Sequence, residues 1–239
     1  MRLSYTEYTI VLIVNLEIFN MKLSKETRDI LGNFSDINPS VIMKEGSVIR
    51  TVTVSKTILA QAKISEKLPR NVPIYDLKQF LNYVSAFEDP DLEFSDTEIS
   101  ISNGRSVGKY RYASESNIAA APSKDIVLPS VEVKFLLTSG IFASVQKAAA
   151  VLGLPEVILV GKNGKAYITA NDSKNPTHSY EHHIGETEHK YNLVFKVDNL
   201  KLIPRDYDVE VSKKGISHFK SASGDIEYWI PVESTSTFE

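Results

Sequence analysis

The sequence predicts an α+β fold of two similar domains, each made of two helix-plus-sheet repeats, and three observations carry this. Short helical patterns alternate with runs of period-two strand pattern along most of the chain. Segments about 120 residues apart answer one another, a fixed period of the kind that marks a repeated architecture. Tyr75-Asp76-Leu77 answers Val197-Asp198-Asn199, and Phe94–Ser100 answers Val211–Ser217. Between the halves runs a small, polar stretch, Ser114–Pro129, with the composition of a linker. A chain of 239 residues accommodates two domains of roughly 100 residues each.

The elements follow in order. Residues 1–20 are expected to be a leader outside the fold, because Met1-Arg2-Leu3-Ser4 resembles Met21-Lys22-Leu23-Ser24, where the body opens. The apolar run Thr9–Leu16 is too short to span a bilayer and lacks a small-residue cleavage site. The first helix is Ser24–Ser35, capped by Ser24, with Leu23, Thr27, Ile30, Leu31 and Phe34 on one face. A hairpin of Val41–Met43 and Val48–Val54 turning at Glu45-Gly46 follows, then Ile58–Ile64. Asp76 caps a second helix, Leu77–Phe87; strands Leu92–Phe94, Glu98–Ser102 and Val107–Tyr112 close a first domain of residues 21–113.

After a linker at 114–130, the second domain (131–239, with a short tail) opens on a long helix, Ser139–Leu152, within the acid-free stretch Val133–Pro155. Val157–Val160 and Ala166–Ala170 flank the turn Asn163-Gly164, a strong hairpin signal. Ser179–Ile184 is the next strand. Val194–Val197 leads into a fourth helix, Asp198–Leu202, which Pro204 stops. Tyr207–Val211, Ile216–Lys220 and Ile226–Val232 end the domain. Val107–Tyr112 and Ser179–Ile184 are expected to be open edges at opposite ends of the subunit, inviting a second chain.

Composition narrows function. The 42% of hydrophobic residues supports a packed core, and the absence of cysteine excludes disulfides, thiolate nucleophiles and Cys-based zinc sites. A formal net charge of −3 excludes a protein that grips nucleic acid over its whole surface. The helices nevertheless carry basic, small-residue outer stripes: Lys25 and Arg28, then Lys78, then Lys134 and Lys147, then Lys201, with Lys22 just before the first helix. These seven are the candidate DNA-binding residues, suited to neutralising phosphates without reading bases.

With these features the chain resembles the sliding clamps of T-even-type bacteriophages and, through them, the proliferating-cell-nuclear-antigen family. The matching residues are Met21-Lys22-Leu23-Ser24-Lys25, Tyr75-Asp76-Leu77 with Phe80-Leu81, Pro204 with Tyr207, and Ile230-Pro231-Val232-Glu233 with Ser236-Thr237-Phe238. The likeness spans Met21–Glu239 and departs in the leader, the long linker and the final Glu239. It implies a DNA-clamp fold, not an enzyme, and no cofactor. It implies a homotrimeric ring around duplex DNA, helices lining the hole, loading by a separate clamp-loader ATPase, and polymerase tethered by a short peptide. It also implies a part in late transcription, in the cytoplasm of an infected host cell. Carried over by position, the partner-peptide pocket would include Met43, Val48, Leu128, Ile230 and Val232.

Three rival readings are open to test. His178, Glu181, His182, His183 and His189 lie close in sequence, but strand alternation sends His182 and His183 to opposite faces, so one metal would see only part of the set. Gly161-Lys162-Asn163-Gly164-Lys165 lacks the spacing of a phosphate loop, and Ala166 stands where Ser or Thr is required. A monomeric interaction module of the same fold would differ from a clamp in solution mass.

Overall fold

Caps and apolar spacing place the helices. A computed structural model describes residues 19–239, in which three α-helices form. In α1 (Lys25–Ile37) the Ser24 hydroxyl accepts from Thr27 N at 3.1 Å, and Ile30, Leu31 and Phe34 are buried. In α2 (Leu77–Ser85) the Asp76 carboxylate accepts from Gln79 N at 2.8 Å. Thr138 caps α3 (Ser139–Leu152), and Gly153 ends it in the left-handed region at φ 65°. The expected fourth helix is instead a single 3-10 turn, Val197–Asn199. Five residues before a proline are too few for α-helix nucleation, and the buried Leu200 and Leu202 already anchor the segment in the core. No helix among the described residues is long and apolar enough to cross a membrane.

Strands fill the rest: β1 (Phe19–Met21), β2 (Val41–Met43), β3 (Gly46–Val52), β4 (Leu59–Leu68), β5 (Val72–Ile74), β6 (Asp91–Phe94), β7 (Glu98–Ser102) and β8 (Val107–Arg111) in the first half. The second half has β9 (Val133–Leu137), β10 (Glu156–Lys162), β11 (Lys165–Asn171), β12 (Tyr180–Glu186), β13 (Tyr191–Lys196), β14 (Tyr207–Ser212), β15 (Ile216–Ser221), β16 (Ile226–Pro231) and β17 (Thr237–Phe238). Two residues expected in the leader belong to β1: Phe19 pairs with Phe94 and Asn20 with Glu93. The rest of the leader, 1–18, lies outside the described residues.

The expected hairpin of Val41–Met43 with the following strand does not form. Only Lys44 and Glu45 separate β2 from β3, and Gly46, at φ 107°, turns β3 away. The buried β5 takes the β2 edge instead, pairing Val41 with Ile74 and Met43 with Val72.

The sheets repeat the chain's own plan. A four-stranded sheet runs β1-β6-β7-β8, and a six-stranded sheet runs β3-β4-β16-β15-β14-β9. The order β1-β6-β7-β8 is that of β9-β14-β15-β16, and β1 and β9 each lead directly into a helix, α1 and α3. The five-stranded sheet, β12-β11-β10-β13-β17, likewise answers β4-β3 together with the pair β2-β5. Pro39-Ser40-Val41-Ile42 and Pro155-Glu156-Val157-Ile158 mark the same turn in both halves. Pro39 O and Pro155 O each accept a backbone N–H, from Leu77 and Val197. Where β16 and β4 meet, the two halves of the chain join into one sheet, with Tyr228 opposite Ala60 and Trp229 opposite Leu59.

Side chains lock that junction. Arg205 binds Asp225 and, at 2.9 Å, Glu26 of α1; Tyr228 OH donates to Asn33 Oδ1 at 2.8 Å. Burial alone would raise the Asp225 carboxyl, but hydrogen bonds from Ser223, Arg205 and Ser221 outweigh it and hold it well below the usual carboxylate range. A group with a depressed folded value adds stability that is complete above its unfolded value, about 3.9, and is lost as pH falls toward the folded one. Asp225→Asn should therefore cost about 1–3 kcal/mol at neutral pH, with the gap to wild type narrowing below about pH 4. Urea unfolding across that range checks it; a gap independent of pH would contradict it.

Candidate functional site

The helices form one connected layer. Lys78 Nζ of α2 lies 2.7 Å from the Asp36 carboxylate of α1. Lys201 Nζ donates to Asp36 O at 2.5 Å, and Asn33 Nδ2 donates to Lys201 O at 2.9 Å. On the other side Gln146 Nε2 of α3 reaches Leu200 O at 3.4 Å. The row is therefore α2, α1, the 200–201 segment, α3, with Asp36 as its hub. The hydrogen bond and charge of Asp36 raise the Lys78 ammonium. Lys25 is 83% exposed beside Asp29. Arg28 is half-buried and donates to Leu23 O at 2.7 Å, which holds it over the start of α1. Lys147 is exposed and is the only charged residue of α3. Ser85 and Ser144 turn their hydroxyls back onto Leu81 O and Gly140 O, so the faces between the cations are smooth.

Two of the seven candidates lie elsewhere. Lys134 is not helical: it is in β9, 2.9 Å from Glu210, on the exposed face of that strand while Val133 and Leu137 are buried. The alternation of Val133, Phe135 and Leu137 was the missed signal. Lys22 pairs with Asp89 beyond the end of α2.

A groove of about 250 Å³ opens where β3 meets the linker, lined by Ile42, Lys44, Val48, Arg50 and the segment Ala120–Ser123. Arg50 builds its wall. Its guanidinium donates to Pro122 O at 3.1 Å and Ser123 O at 2.5 Å and pairs with Asp125 at 2.5 Å. Of the five expected pocket residues only Val48, 42% exposed, lines this groove. Met43 and Ile230 are core residues, 2% and 0% exposed; strand alternation turns Ile42, not Met43, toward the groove. Leu128 and Val232 are half-buried and lie outside the groove lining, Val232 packed against the core. The sequence offered no signal for Arg50.

The two expected edges are open: β8 ends the four-stranded sheet and β12 the five-stranded one. On β8, Gly108 lies directly beneath Tyr83 and Phe87, whose rings meet edge-on at 5.5 Å; a Cβ at 108 would fall 2.1 Å from Tyr83 OH. Lys109, raised by the hydrogen bond and charge of Glu98, sits on the same strand as Arg111. On β12, Glu181 is 2.7 Å from Lys162, and His183 stacks edge-on against Tyr167 at 5.4 Å and lies 3.6 Å from Glu186. The histidines do not converge: His182 is half-buried and His183 exposed, while His189 packs against Phe238. Among the described residues no group of three His, Asp or Glu side chains is placed to hold a metal.

Comparison with known proteins identifies the family and the fold. The family described as DNA polymerase processivity factor matches residues 24–120, and the family described as gp45 sliding clamp, C terminal, matches residues 135–234. The sliding clamp of Escherichia phage RB69 is 30% identical over 229 residues, covering 92% of this chain and all of the relative. The sliding clamp of Vibrio phage KVP40 is 29% identical over 222 residues, 90% of this chain and all of the relative. Among solved structures, A. fulgidus PCNA with the C-terminal region of FEN-1 bound superposes with a TM-score of 0.66 at 14% identity, covering 92% of this chain and 100% of that one. The DNA polymerase III β chain of Streptococcus pneumoniae gives a TM-score of 0.63 at 12% identity over 98% of this chain and 67% of that one. These two show the fold.

Proposed function

This chain belongs to the sliding-clamp family and is a DNA polymerase processivity factor, and from that premise we propose that it closes head to tail into a homotrimeric ring around duplex DNA. The observation that carries the ring is the internal repeat. β16 and β4 pair inside the chain, and the strands in the equivalent positions, β8 and β12, each end a sheet with no further strand beside them among the described residues. An edge of one kind at each end is the condition for a heterologous contact that closes by rotation.

The repeat also supplies a register. Gly108 faces Ile101 as Tyr228 faces Phe219, and Tyr180 faces Ala170 as Ala60 faces Thr51. The internal junction sets Tyr228 against Ala60, so the junction between subunits sets Gly108 against Tyr180. Large and small exchange sides, and Tyr180 comes opposite Gly108, next to the Tyr83 and Phe87 rings that cover that glycine. In that register Glu181 of β12 faces Val107 and lies diagonal to Lys109 of β8, whereas pairing β8 with β8 or β12 with β12 opposes like charges. A solution mass of about three times the 26.7 kDa chain is expected; monomer alone at high micromolar concentration would contradict the ring.

Inside the ring Lys25, Arg28, Lys78, Lys147 and Lys201 contact phosphates without reading bases. Lys22 and Lys134, off that layer, contribute long-range charge only. The groove at Val48 takes a peptide of the polymerase, with an apolar anchor against Ile42 and Val48. The clamp-loader ATPase and late-transcription factors use the same groove in turn. Val48→Asp should weaken polymerase binding about 30-fold, the equivalent of one lost anchor of roughly 2 kcal/mol, while the ring stays intact. Primer extension with the variant checks this; full stimulation would place the polymerase elsewhere. Ile230→Asp is not an equivalent test, since Ile230 is wholly buried.

A further inference from the structure

One sheet edge outside the ring and the linker groove is already occupied by a peptide, the chain's own last residues. β13 pairs with β10 on one side, and on the other β17 adds by two pairs, Tyr191 with Phe238 and Asn192 with Thr237. Glu239 N–H donates to Lys190 O at 2.8 Å, and Val194 N–H donates to Ser236 Oγ at 2.9 Å. The Phe238 ring lies parallel to that of Tyr191 at 6.1 Å and 5.1 Å from His189. The Glu239 carboxylate is 2.7 Å from Lys190 Nζ.

Beneath this site the sequence makes a specific provision. Gly161, the register partner of Tyr191 on β10, has no room for a side chain: a Cβ would fall 2.5 Å from His189 O and 2.7 Å from the Tyr191 ring. The glycine lets Tyr191 and the backbone at 189 approach β10 closely, which makes an aromatic shelf at the end of the strand edge that β17 covers. This is the geometry of strand addition, where main-chain hydrogen bonds give affinity and side-chain seats give selectivity. The cis occupant is held by two strand pairs and three further hydrogen bonds to the β13 edge (Glu239 N to Lys190 O, Val194 N to Ser236 Oγ, Glu233 N to Val194 O). Two aromatic contacts add to these, with the ion pairs Lys196–Glu233 and Lys190–Glu239, the latter with partners 71% and 65% exposed. A terminal segment on so short a ladder opens at lower free-energy cost than the core strands.

We propose that the β13 edge is a second peptide-docking site, distinct from the linker groove. It takes an extended partner segment of hydroxyl, aromatic and acidic residues in the order Ser-Thr-Phe-Glu, and the chain's own C-terminal strand is an exchangeable placeholder in it. The aromatic stacks on Tyr191, the acid pairs with Lys190, and the hydroxyl meets the Val194 amide. Neither trimer formation nor the groove at Val48 enters this inference.

The probe is a fluorescent peptide of residues 233–239, Glu-Ser-Thr-Ser-Thr-Phe-Glu, titrated by polarisation against full-length protein. Phe238→Ala, which loosens the placeholder, should bind it at least about tenfold more tightly than wild type. The same peptide with alanine for phenylalanine should lose binding, and Val48→Asp added to Phe238→Ala should leave it unchanged. Adding Gly161→Val should abolish it while circular dichroism stays native. No binding to Phe238→Ala, equal binding to wild type, or indifference to the peptide's phenylalanine would overturn the proposal. Loss on adding Val48→Asp would also overturn it, by moving the peptide to the linker groove.

Discussion

Tyr180→Ala is expected to convert the trimer to monomer, and Tyr180→Phe to leave it a trimer. Tyr180 stands on an open edge strand and is half-buried within its own subunit, so its truncation removes modest packing from the monomer. In the register carried over from β16 and β4 it lies opposite Gly108 and packs against Tyr83 and Phe87, the rings that cover that glycine. A buried aromatic anchor of this kind carries roughly 2 kcal/mol or more, so each junction should weaken about 30-fold or further. Every subunit supplies one such junction, which makes the loss cooperative for a closed ring. Sedimentation equilibrium reads the mass, and a thermal melt near that of wild type shows that the subunit is folded. A Tyr180→Ala trimer as stable as wild type would show the register, and with it the quasi-symmetric junction, to be wrong.

The second large effect is expected in the helix layer. A variant carrying Lys25→Glu and Lys147→Glu with Lys78→Gln and Lys201→Gln should remain trimeric and lose processive synthesis by at least about tenfold, alike on all template sequences. Neutral replacements are used at 78 and 201 because both side chains touch Asp36, where a new carboxylate would be repelled. Processivity assays at several salt concentrations separate this from a folding defect. The wild type should lose activity steeply as salt rises and the variant only weakly, because fewer counterions are displaced. Equal processivity of the two proteins would remove these residues from DNA contact.

Local signals were legible in the sequence, and tertiary ones less so. Ser24 and Asp76 announced α1 and α2, because capping is encoded within one turn, whereas the Thr138 cap of α3 was not read from the sequence. The two open edges followed from the repeat, since the same strand order in both halves leaves one strand of each kind without a partner. Lys134 was misplaced because a short alternating strand directly precedes a long helix, and the helical pattern dominated the window. The pairing of β2 with β5 was hidden by the nearness of β3: adjacency in sequence favours a hairpin until a glycine at positive φ diverts the chain. The pocket carry-over slipped by one residue at Met43 for Ile42, which in a strand exchanges core for surface. Asp36 as the hub of the helix layer and Arg50 as the wall of the groove depend on residues far apart in sequence, and no local pattern marks them.

The most direct test of an encircling clamp is topological. Protein loaded onto a nicked circular duplex should stay bound through gel filtration in high salt, and a single cut that linearises the DNA should release it, because a closed ring is held by linkage and not by affinity. Retention that survives linearisation, or equal loss from circle and linear duplex, would contradict the account.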